Sequence, residues 1–290
     1  MGIYNDITIL VNSCDLYEDA WNPFFTILKA QWPECINFNI CLNTETKQFS
    51  CAYLDVHTIN SGNNLDWSKR LRLCLEKIET EFVCFFLEDF FLMTSVDTHI
   101  FQCAYEYMKK HKNVGVVNFK SHVDWIKKGS YGEFFTCVKR RTKKYRVSTL
   151  TGLWRKSFLL KCLRDGEDPW EFEKYANIRA KFYKEIVLCR KEEVHPVFLY
   201  YLLESLGYGI SKRKWLPKNK ELFDQYGLHV DFEKLGWYEY NHTEKRQRRS
   251  KKELLQLLYK HPLELFKIFY RKVNIKGRLN ELVKIFRHVF

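Results

Sequence analysis

The sequence contains no stretch of 18 consecutive apolar residues, so a helix that spans a lipid bilayer is not expected. Its first residues lack both the basic segment and the hydrophobic segment of a secretory signal peptide. Gly and Pro are scarce, at 12 and 6 of 290 residues, which excludes collagen-like and linker-type chains. We therefore expect a protein that is soluble or peripheral and lies in the cytoplasm.

The ten cysteines also lack the spacing of a metal site. No pair is separated by two residues, and no group of Cys and His has the spacing of zinc ligands. Several lie inside apolar runs, such as Cys84 within residues 82–86, where a free thiol behaves as a small buried hydrophobe. We expect reduced structural thiols, as is usual in a reducing cytoplasm.

Apolar and aromatic side chains, by contrast, are abundant. Hydrophobic residues make up 46% of the chain and aromatic residues 17%, which is too many for a disordered protein. The length of 290 residues allows one large domain, or one domain with an appendage.

Positive charge is concentrated at the C-terminal end. Residues 241–290 contain eight Lys and six Arg against four Glu, a net charge of +10 out of +13 for the whole chain. Apolar residues follow one stripe of this segment and basic residues another, which is typical of a helix lying at a membrane interface. The pattern predicts a domain at 1–240 and a basic amphipathic helical tail at 241–290 that associates with the anionic inner face of the cell membrane.

Short apolar runs alternate with amphipathic stretches through the first 120 residues. This alternation predicts an α/β fold with a mostly parallel sheet flanked by helices. The predicted strands are 7–11, 38–42, 53–57, 82–87 and 114–119. The predicted helices are one that starts with Asn22 as N-cap and Pro23 as its first residue, one over 67–80 and one over 100–112.

Polar residues follow three of these strands, at 12–15, 43–45 and 88–89. In an open parallel sheet, ligands bind beyond the carboxyl ends of the strands. Glu88 and Asp89 could there hold a divalent cation against a pyrophosphate, or they could form a solvated turn. A second acidic cluster at 168–173 could favour a helix dipole or supply a general base.

Taken together, four segments resemble the GT-A glycosyltransferases, particularly the inverting, family 2-like enzymes of bacterial surface polysaccharide biosynthesis. The similar segments, in the family's order, are 7–15, 64–70, 82–91 and 149–179, within residues 5–210. The resemblance implies a GT-A (Rossmann-like) fold and a hexosyltransferase-type enzyme. Such an enzyme transfers a sugar from a nucleotide-sugar donor to a glycan or lipid-linked glycan acceptor, with inversion.

The resemblance also implies which residues bind the donor. Ser13 and Asp15, with Asn43 and Glu45, would hold the nucleoside, and Arg70 would approach the diphosphate. The residues expected in the sugar and acceptor pocket are Gly152, Trp154, Arg155 and Trp170.

Glu88 and Asp89 occupy the place of the family's metal-binding motif, in which one residue separates two acids. Here the acids are adjacent, so the sequence leaves open whether Mn²⁺ or Mg²⁺ is used or whether the enzyme is metal-independent. The catalytic base would be Glu173 or Glu171. Arg179, six residues after Glu173, favours Glu173 slightly.

Two other functions suit parts of the sequence. Basic runs and aromatic residues are also typical of nucleic-acid-binding or phosphate-processing proteins, although no recognised nucleic-acid-binding motif occurs. A non-catalytic membrane adaptor would use the tail alone. Nucleic acid is not an expected partner, because the basic excess lies within amphipathic stretches.

Deleting residues 241–290 should release the protein from anionic liposomes, because the deletion removes both the basic residues and the apolar stripe. Co-sedimentation with phosphatidylglycerol vesicles measures this. Neutral vesicles provide the control, and unchanged partitioning of the truncated chain would refute the assignment.

Overall fold

The computed structural model describes residues 2–121, 126–140, 146–200 and 209–239, together with Lys260 and Pro262; for residues 126–130 only the backbone is described. The chain divides into two compact units, Met1–Tyr240 and Asn241–Phe290. The amphipathic helices predicted for the tail lie outside the described residues. Within the described part, no helix is long and apolar enough to cross a membrane.

A nine-stranded sheet forms the centre of the first unit, with the strand order β3-β2-β1-β4-β8-β5-β9-β7-β6. Seven of the strands point the same way, whereas β8 and β7 run antiparallel to their neighbours. The strands are β1 Ile7–Asn12, β2 Asn39–Thr44, β3 Val56–Asn60, β4 Phe82–Leu87, β5 Val114–Asn118, β6 Ile126–Ser130, β7 Phe135–Val138, β8 Gly152–Arg155 and β9 Ile186–Arg190. A separate hairpin consists of β10 Ile210–Ser211 and β11 Lys214–Trp215.

Helices cover both faces of the sheet. They are α1 Ile3–Asp6, α2 Glu18–Gln31, α3 Trp67–Lys77, α4 Thr98–Lys110, α5 Lys156–Cys162, α6 Pro169–Arg179 and α7 Asn219–Gln225. The apolar sides of α2 and α4 pack in the core on one face, and those of α3, α5 and α6 pack in the core on the other. Because both faces are covered, β1 and β5 are buried along their whole length and are almost continuously apolar in sequence.

The predicted α/β class, with a mostly parallel sheet between helices, is confirmed by this architecture. The helix start predicted at Asn22 is wrong, because α2 begins at Glu18 and contains Pro23 in its interior. Glu18 and Asp19 favour the earlier start, since acidic side chains stabilise the positive end of a helix. The third strand lies three residues later than predicted, and β6, β7 and β9 were not predicted.

Strand β8 decides which of the later residues can reach the edge formed by the carboxyl ends of the parallel strands. It lies between β4 and β5 and runs antiparallel to both. Gly152 pairs with Phe85 near the carboxyl end of β4, whereas Arg155 pairs with Phe82 at the opposite end. The chain that precedes Gly152 therefore lies beyond the carboxyl ends of the parallel strands.

A buried ion pair ties α6 to the rest of the domain. Both guanidinium Nη atoms of Arg179 donate to the carboxylate of Glu167, each at 2.7 Å, and Nη2 also donates to the carbonyl of Cys162. Glu167 is completely buried, and its backbone exchanges hydrogen bonds with Ser68 at the start of α3. This pair joins the first turn of α3 to the C-terminal end of α6.

Replacing Glu167 by Gln should destabilise the protein by about 3–5 kcal/mol, because it removes the negative charge of a buried ion pair while the Arg179 guanidinium stays buried. The matched control is Glu185→Gln, which removes an ion pair with Lys161 that is more exposed to solvent. That change should cost less than about 1 kcal/mol. Urea denaturation measures both free energies, and equal effects would contradict a special role for the buried pair.

Candidate functional site

The carboxyl ends of β1, β2 and β3 are joined by side-chain hydrogen bonds. The Asn43 amide nitrogen donates to Oδ1 of Asn12 at 2.7 Å, and the Ser61 hydroxyl donates to Oδ1 of Asn43 at 2.7 Å. Asn43 is fully buried, so its amide is directed at its neighbours along the sheet edge. This chain of bonds holds three strand ends in place beneath the loops that follow them.

Asp15 and Glu45 hold the first two of these loops together. The Asp15 carboxylate accepts from the backbone N–H groups of Glu45, Thr46 and Lys47 and from the Thr46 hydroxyl. In return, the Asp15 N–H donates to the carboxylate of Glu45. Burial opposes ionisation of Asp15, but the hydrogen bonds from Thr46, Lys47 and Glu45 outweigh it and lower the pKa of this carboxyl.

Arg70, on α3, contacts both of these loops through its guanidinium group. Its Nη1 lies 3.0 Å from the carbonyl oxygen of Ser13 and 3.3 Å from Oε1 of Glu45. The Ser13 hydroxyl accepts a 2.7 Å hydrogen bond from the indole N–H of Trp21. Because Arg70 is only 6% exposed, its charge acts inside the domain and is not presented at the surface.

Glu88 and Asp89 follow β4 at the same edge, and both are buried. Burial raises the pKa of Glu88, and the charge of Asp89 raises it further, while a hydrogen bond from Ser13 and the charge of Arg70 act in the opposite direction. Burial also raises the pKa of Asp89. Oδ2 of Asp89 accepts from the N–H groups of Gly209 at 3.2 Å and Ile210 at 3.1 Å.

These two carboxyl groups are the candidates for holding a divalent cation, but they do not form a preformed cage. Among the described residues, no group of three or more His, Cys, Asp or Glu side chains could bind a metal. One oxygen of Asp89 is already engaged by two backbone N–H groups. A hard cation takes six or more oxygen ligands, so this pair could supply only part of its coordination.

Glu173 lies at this edge as well. Its Oε1 accepts from the Ser148 hydroxyl at 3.0 Å, the Thr149 N–H at 2.8 Å and the Thr149 hydroxyl at 2.9 Å. Residues 148 and 149 precede Gly152 in the chain and so lie beyond the carboxyl end of β4. The fold thus brings the carboxyl group of Glu173 to the same edge of the sheet as those of Glu88 and Asp89. Asp89 and Glu173 are 84 residues apart in sequence.

The neighbouring acids of α6 have other contacts. Asp168 and Glu171 form a capping box, in which the Glu171 N–H donates to Asp168 at 2.7 Å and the Glu171 carboxylate accepts from the Asp168 N–H. Arg179, which favoured Glu173 on sequence spacing, is paired with Glu167. Trp170 is 77% exposed in the first turn of α6.

The four residues expected in the sugar and acceptor pocket are not brought together. Gly152 lies toward the candidate edge, whereas Arg155 lies at the opposite end of β8, bonded to the carbonyl groups of Val114 and Met108. Trp154 is 1% exposed and stacks on Phe158 in the core. Because β8 runs antiparallel to β4 and β5, Arg155 lies at the end of the sheet that is opposite the candidate edge.

Two polar residues at this edge were missed by the sequence analysis. Asn118 ends β5 and is buried, yet neither atom of its amide has a hydrogen-bond partner among the described residues. Its Oδ1 is 3.4 Å from the position that a Cβ at Gly152 would occupy, so the glycine leaves room beside it. The second is Arg213, in the hairpin that follows Gly209. Asn118 could have been recognised from the sequence, because it is a polar residue that ends an apolar strand. No local pattern indicates Arg213.

No family model and no curated protein matches the chain. Similar solved structures include TarS from S. aureus, at 12% identity and a TM-score of 0.45, covering 68% of this chain and 37% of that one. TarS 1–349 in complex with UDP has 14% identity and a TM-score of 0.44, covering 68% and 60%. A cytidylyltransferase from Leptospira borgpetersenii has 12% identity and a TM-score of 0.39, covering 62% and 74%.

The chain therefore spans little more than a third of full-length TarS and well over half of its 1–349 fragment. The similar structures also include a CMP:2-keto-3-deoxy-manno-octonic acid synthetase complexed with CTP, at 9% identity and a TM-score of 0.39, covering 76% of this chain and 98% of that one.

Replacing Glu88 by Gln should make the protein more stable near neutral pH. A carboxyl whose folded-state pKa is raised contributes stability that is complete below the ordinary value of 4.5 and is lost as the pH rises toward the raised value. The melting temperature of the variant should therefore exceed that of wild type by an amount that grows between about pH 5 and pH 8. The exposed Glu79→Gln is the control; parallel curves for all three proteins would contradict the burial argument.

Proposed function

We infer that this protein is a nucleotide-sugar-dependent glycosyltransferase of the hexosyltransferase type, which transfers a sugar with inversion to a hydroxyl group of a glycan or lipid-linked glycan. The observation that carries this proposal is the convergence of interlocked loops after β1 and β2 with the carboxylate of Glu173 at one edge of the sheet. The loops supply a place for a nucleotide, and Glu173 supplies a base beyond the carboxyl end of β4.

The nucleotide would lie on the loops that Asp15 and Glu45 hold together. This edge is where ligands bind in open α/β sheets, because backbone groups and short polar side chains converge there. Thr46 and Lys47 are fixed by the Asp15 carboxylate and so present a rigid surface. A preorganised loop loses little conformational entropy when a ligand binds.

Glu173 is the better candidate for the base. Its Oε1 is oriented by three hydrogen bonds, and its Oε2 has no hydrogen-bond partner among the described residues. Glu171 is engaged in the capping box that starts α6. In a single displacement, Glu173 takes the proton of the acceptor hydroxyl while the oxygen attacks the anomeric carbon opposite the leaving nucleoside diphosphate.

The acceptor would approach over the first turn of α6. Trp170 offers an exposed aromatic surface there, three residues from Glu173 and therefore on a neighbouring part of the same helix face. Aromatic rings pack well against the apolar face of a sugar while its hydroxyl groups stay solvated. A lipid-linked acceptor would explain the basic amphipathic pattern of the tail, which would hold the enzyme at an anionic membrane surface.

Glu173→Gln should lower the rate of sugar transfer by about 10²–10⁴-fold, because it removes the general base without changing the shape of the side chain. Glu171→Gln is the matched control on the same helix. It should retain near-normal transfer, because the amide oxygen of Gln can still accept the hydrogen bond from the Asp168 N–H. The donor is first identified by thermal shift with UDP-, GDP-, CMP- and dTDP-sugars, with and without Mn²⁺. Transfer is then followed by release of the free nucleotide.

Full activity of Glu173→Gln would remove the assignment of the base. Release of pyrophosphate from a nucleoside triphosphate and a sugar would instead identify a nucleotidyltransferase. Binding of DNA without binding of any nucleotide-sugar would favour the nucleic-acid alternative.

A further inference from the structure

The hairpin of β10 and β11 carries two consecutive cations in an unusual backbone conformation. Lys212 has φ +50° and Arg213 has φ +66°, so both turn residues lie in the left-handed region. Such two-residue hairpin turns usually contain Asn-Gly or similar pairs, because side chains with a Cβ are strained there. Strain of this kind persists where the surrounding structure enforces it, and it is concentrated at functional sites.

The base of the hairpin is attached to the acidic pair. Gly209 and Ile210 donate their N–H groups to Oδ2 of Asp89, as described above. A Cβ at Gly209 would lie 2.4 Å from the ring of Phe91 and 2.9 Å from the carbonyl oxygen of Asp89, so the two backbones are in close contact. Trp215, which pairs with Ile210 at the base of the hairpin, is completely buried. The turn therefore projects from a rigid base beside the candidate edge.

The two cations of the turn face different surroundings. The Lys212 ammonium lies over the ring of Tyr238, 5.9 Å from its centroid. Burial raises the pKa of the Tyr17 phenol, in the loop after β1, and neighbouring acidic groups, among them Glu88 and Asp89, raise it further, whereas the charge of Arg213 lowers it. Among the described residues, no carboxylate forms an ion pair with Arg213. Arg213 is exposed and is thus a cation available to a ligand at this edge.

The other groups at the edge do not supply such a cation. Arg70 is buried and committed to Glu45 and to the Ser13 carbonyl. The pair Glu88-Asp89 is buried, and one oxygen of Asp89 is already bonded to two backbone N–H groups, so these two side chains alone would not complete the coordination of a metal ion. A departing nucleoside diphosphate nevertheless develops negative charge that must be stabilised. A guanidinium group suits this task, because its fork of N–H donors matches two phosphate oxygens.

We propose that Arg213 binds the diphosphate of the donor and stabilises the leaving nucleoside diphosphate in place of a metal ion, an inference that rests on the proposed function. In that step, the bond between the anomeric carbon and the diphosphate oxygen breaks, and its electron pair stays on the diphosphate. The acceptor oxygen forms the new bond to the anomeric carbon, and its proton passes to Glu173. Arg213 contacts the leaving oxygen atoms and takes no part in the proton transfer.

The turn allows a matched pair of variants. Arg213→Gly and Lys212→Asn each remove one positive charge, and each introduces a residue that the left-handed turn favours at that position. Neither change should lower the melting temperature, so a loss of binding cannot be attributed to misfolding. Arg213→Lys keeps the charge and tests whether the guanidinium fork is needed.

Binding is measured by calorimetry on the full chain, first in EDTA and then with Mn²⁺, with UDP and UMP and with the corresponding pairs for CDP, GDP and dTDP. Wild type should bind the diphosphate of its preferred base about 10- to 100-fold more tightly than the monophosphate, as expected for one charge-assisted contact. Arg213→Gly should lose this preference, with monophosphate binding unchanged. Lys212→Asn should keep it, and Arg213→Lys should keep part of it.

Retention of the diphosphate preference in Arg213→Gly, or an equal loss in Lys212→Asn, would overturn the proposal while leaving the proposed function intact. A wild-type preference that appears only with Mn²⁺ would also overturn it, in favour of a metal held by Glu88 and Asp89. Failure of wild type to bind any nucleotide would overturn the proposed function as well as the role of Arg213.

Discussion

The geometry of the candidate site depends on the buried interaction of Arg70 with Glu45 and the Ser13 carbonyl. A buried guanidinium is costly unless its charge is paired and its N–H groups are bonded, and these partners come from the ends of two different strands. Asp15 closes the arrangement by accepting from the loop that contains Glu45. The loops after β1 and β2 therefore hold each other in place, and the surface at this edge is preformed.

The acidic residues of this chain take different roles because their surroundings differ. Glu167 is buried, and its ion pair with Arg179 ties α6 to the rest of the domain. Glu171 instead belongs to the capping box at the N-terminus of α6. Glu88 is buried beside another acid, so its charged form is disfavoured. Glu173 is oriented through one oxygen at the sheet edge, and this position suits a base. Residue type alone would not have separated these four groups.

Local sequence patterns predict much of the fold, because they reflect short-range physics. A parallel strand covered on both faces must be apolar throughout, and Phe82–Leu87 is found as the predicted strand without any shift of its ends. The polar residues that end the first, second and fourth strands also meet at one edge, as parallel topology requires. Pro23 misled the helix prediction, because acidic residues upstream stabilise an earlier start.

The sequence by itself thus determined the fold class, the strand ends that form the candidate site and the concentration of positive charge in the tail. Only the tertiary structure decided that β8 runs antiparallel, which brings Gly152 to the edge and carries Arg155 away from it. It likewise decided that Arg179 pairs with Glu167 and that the base of the hairpin that carries Arg213 is bonded to Asp89. Strand direction and charge pairing depend on contacts between residues far apart in the chain, and periodicity carries no information about such contacts.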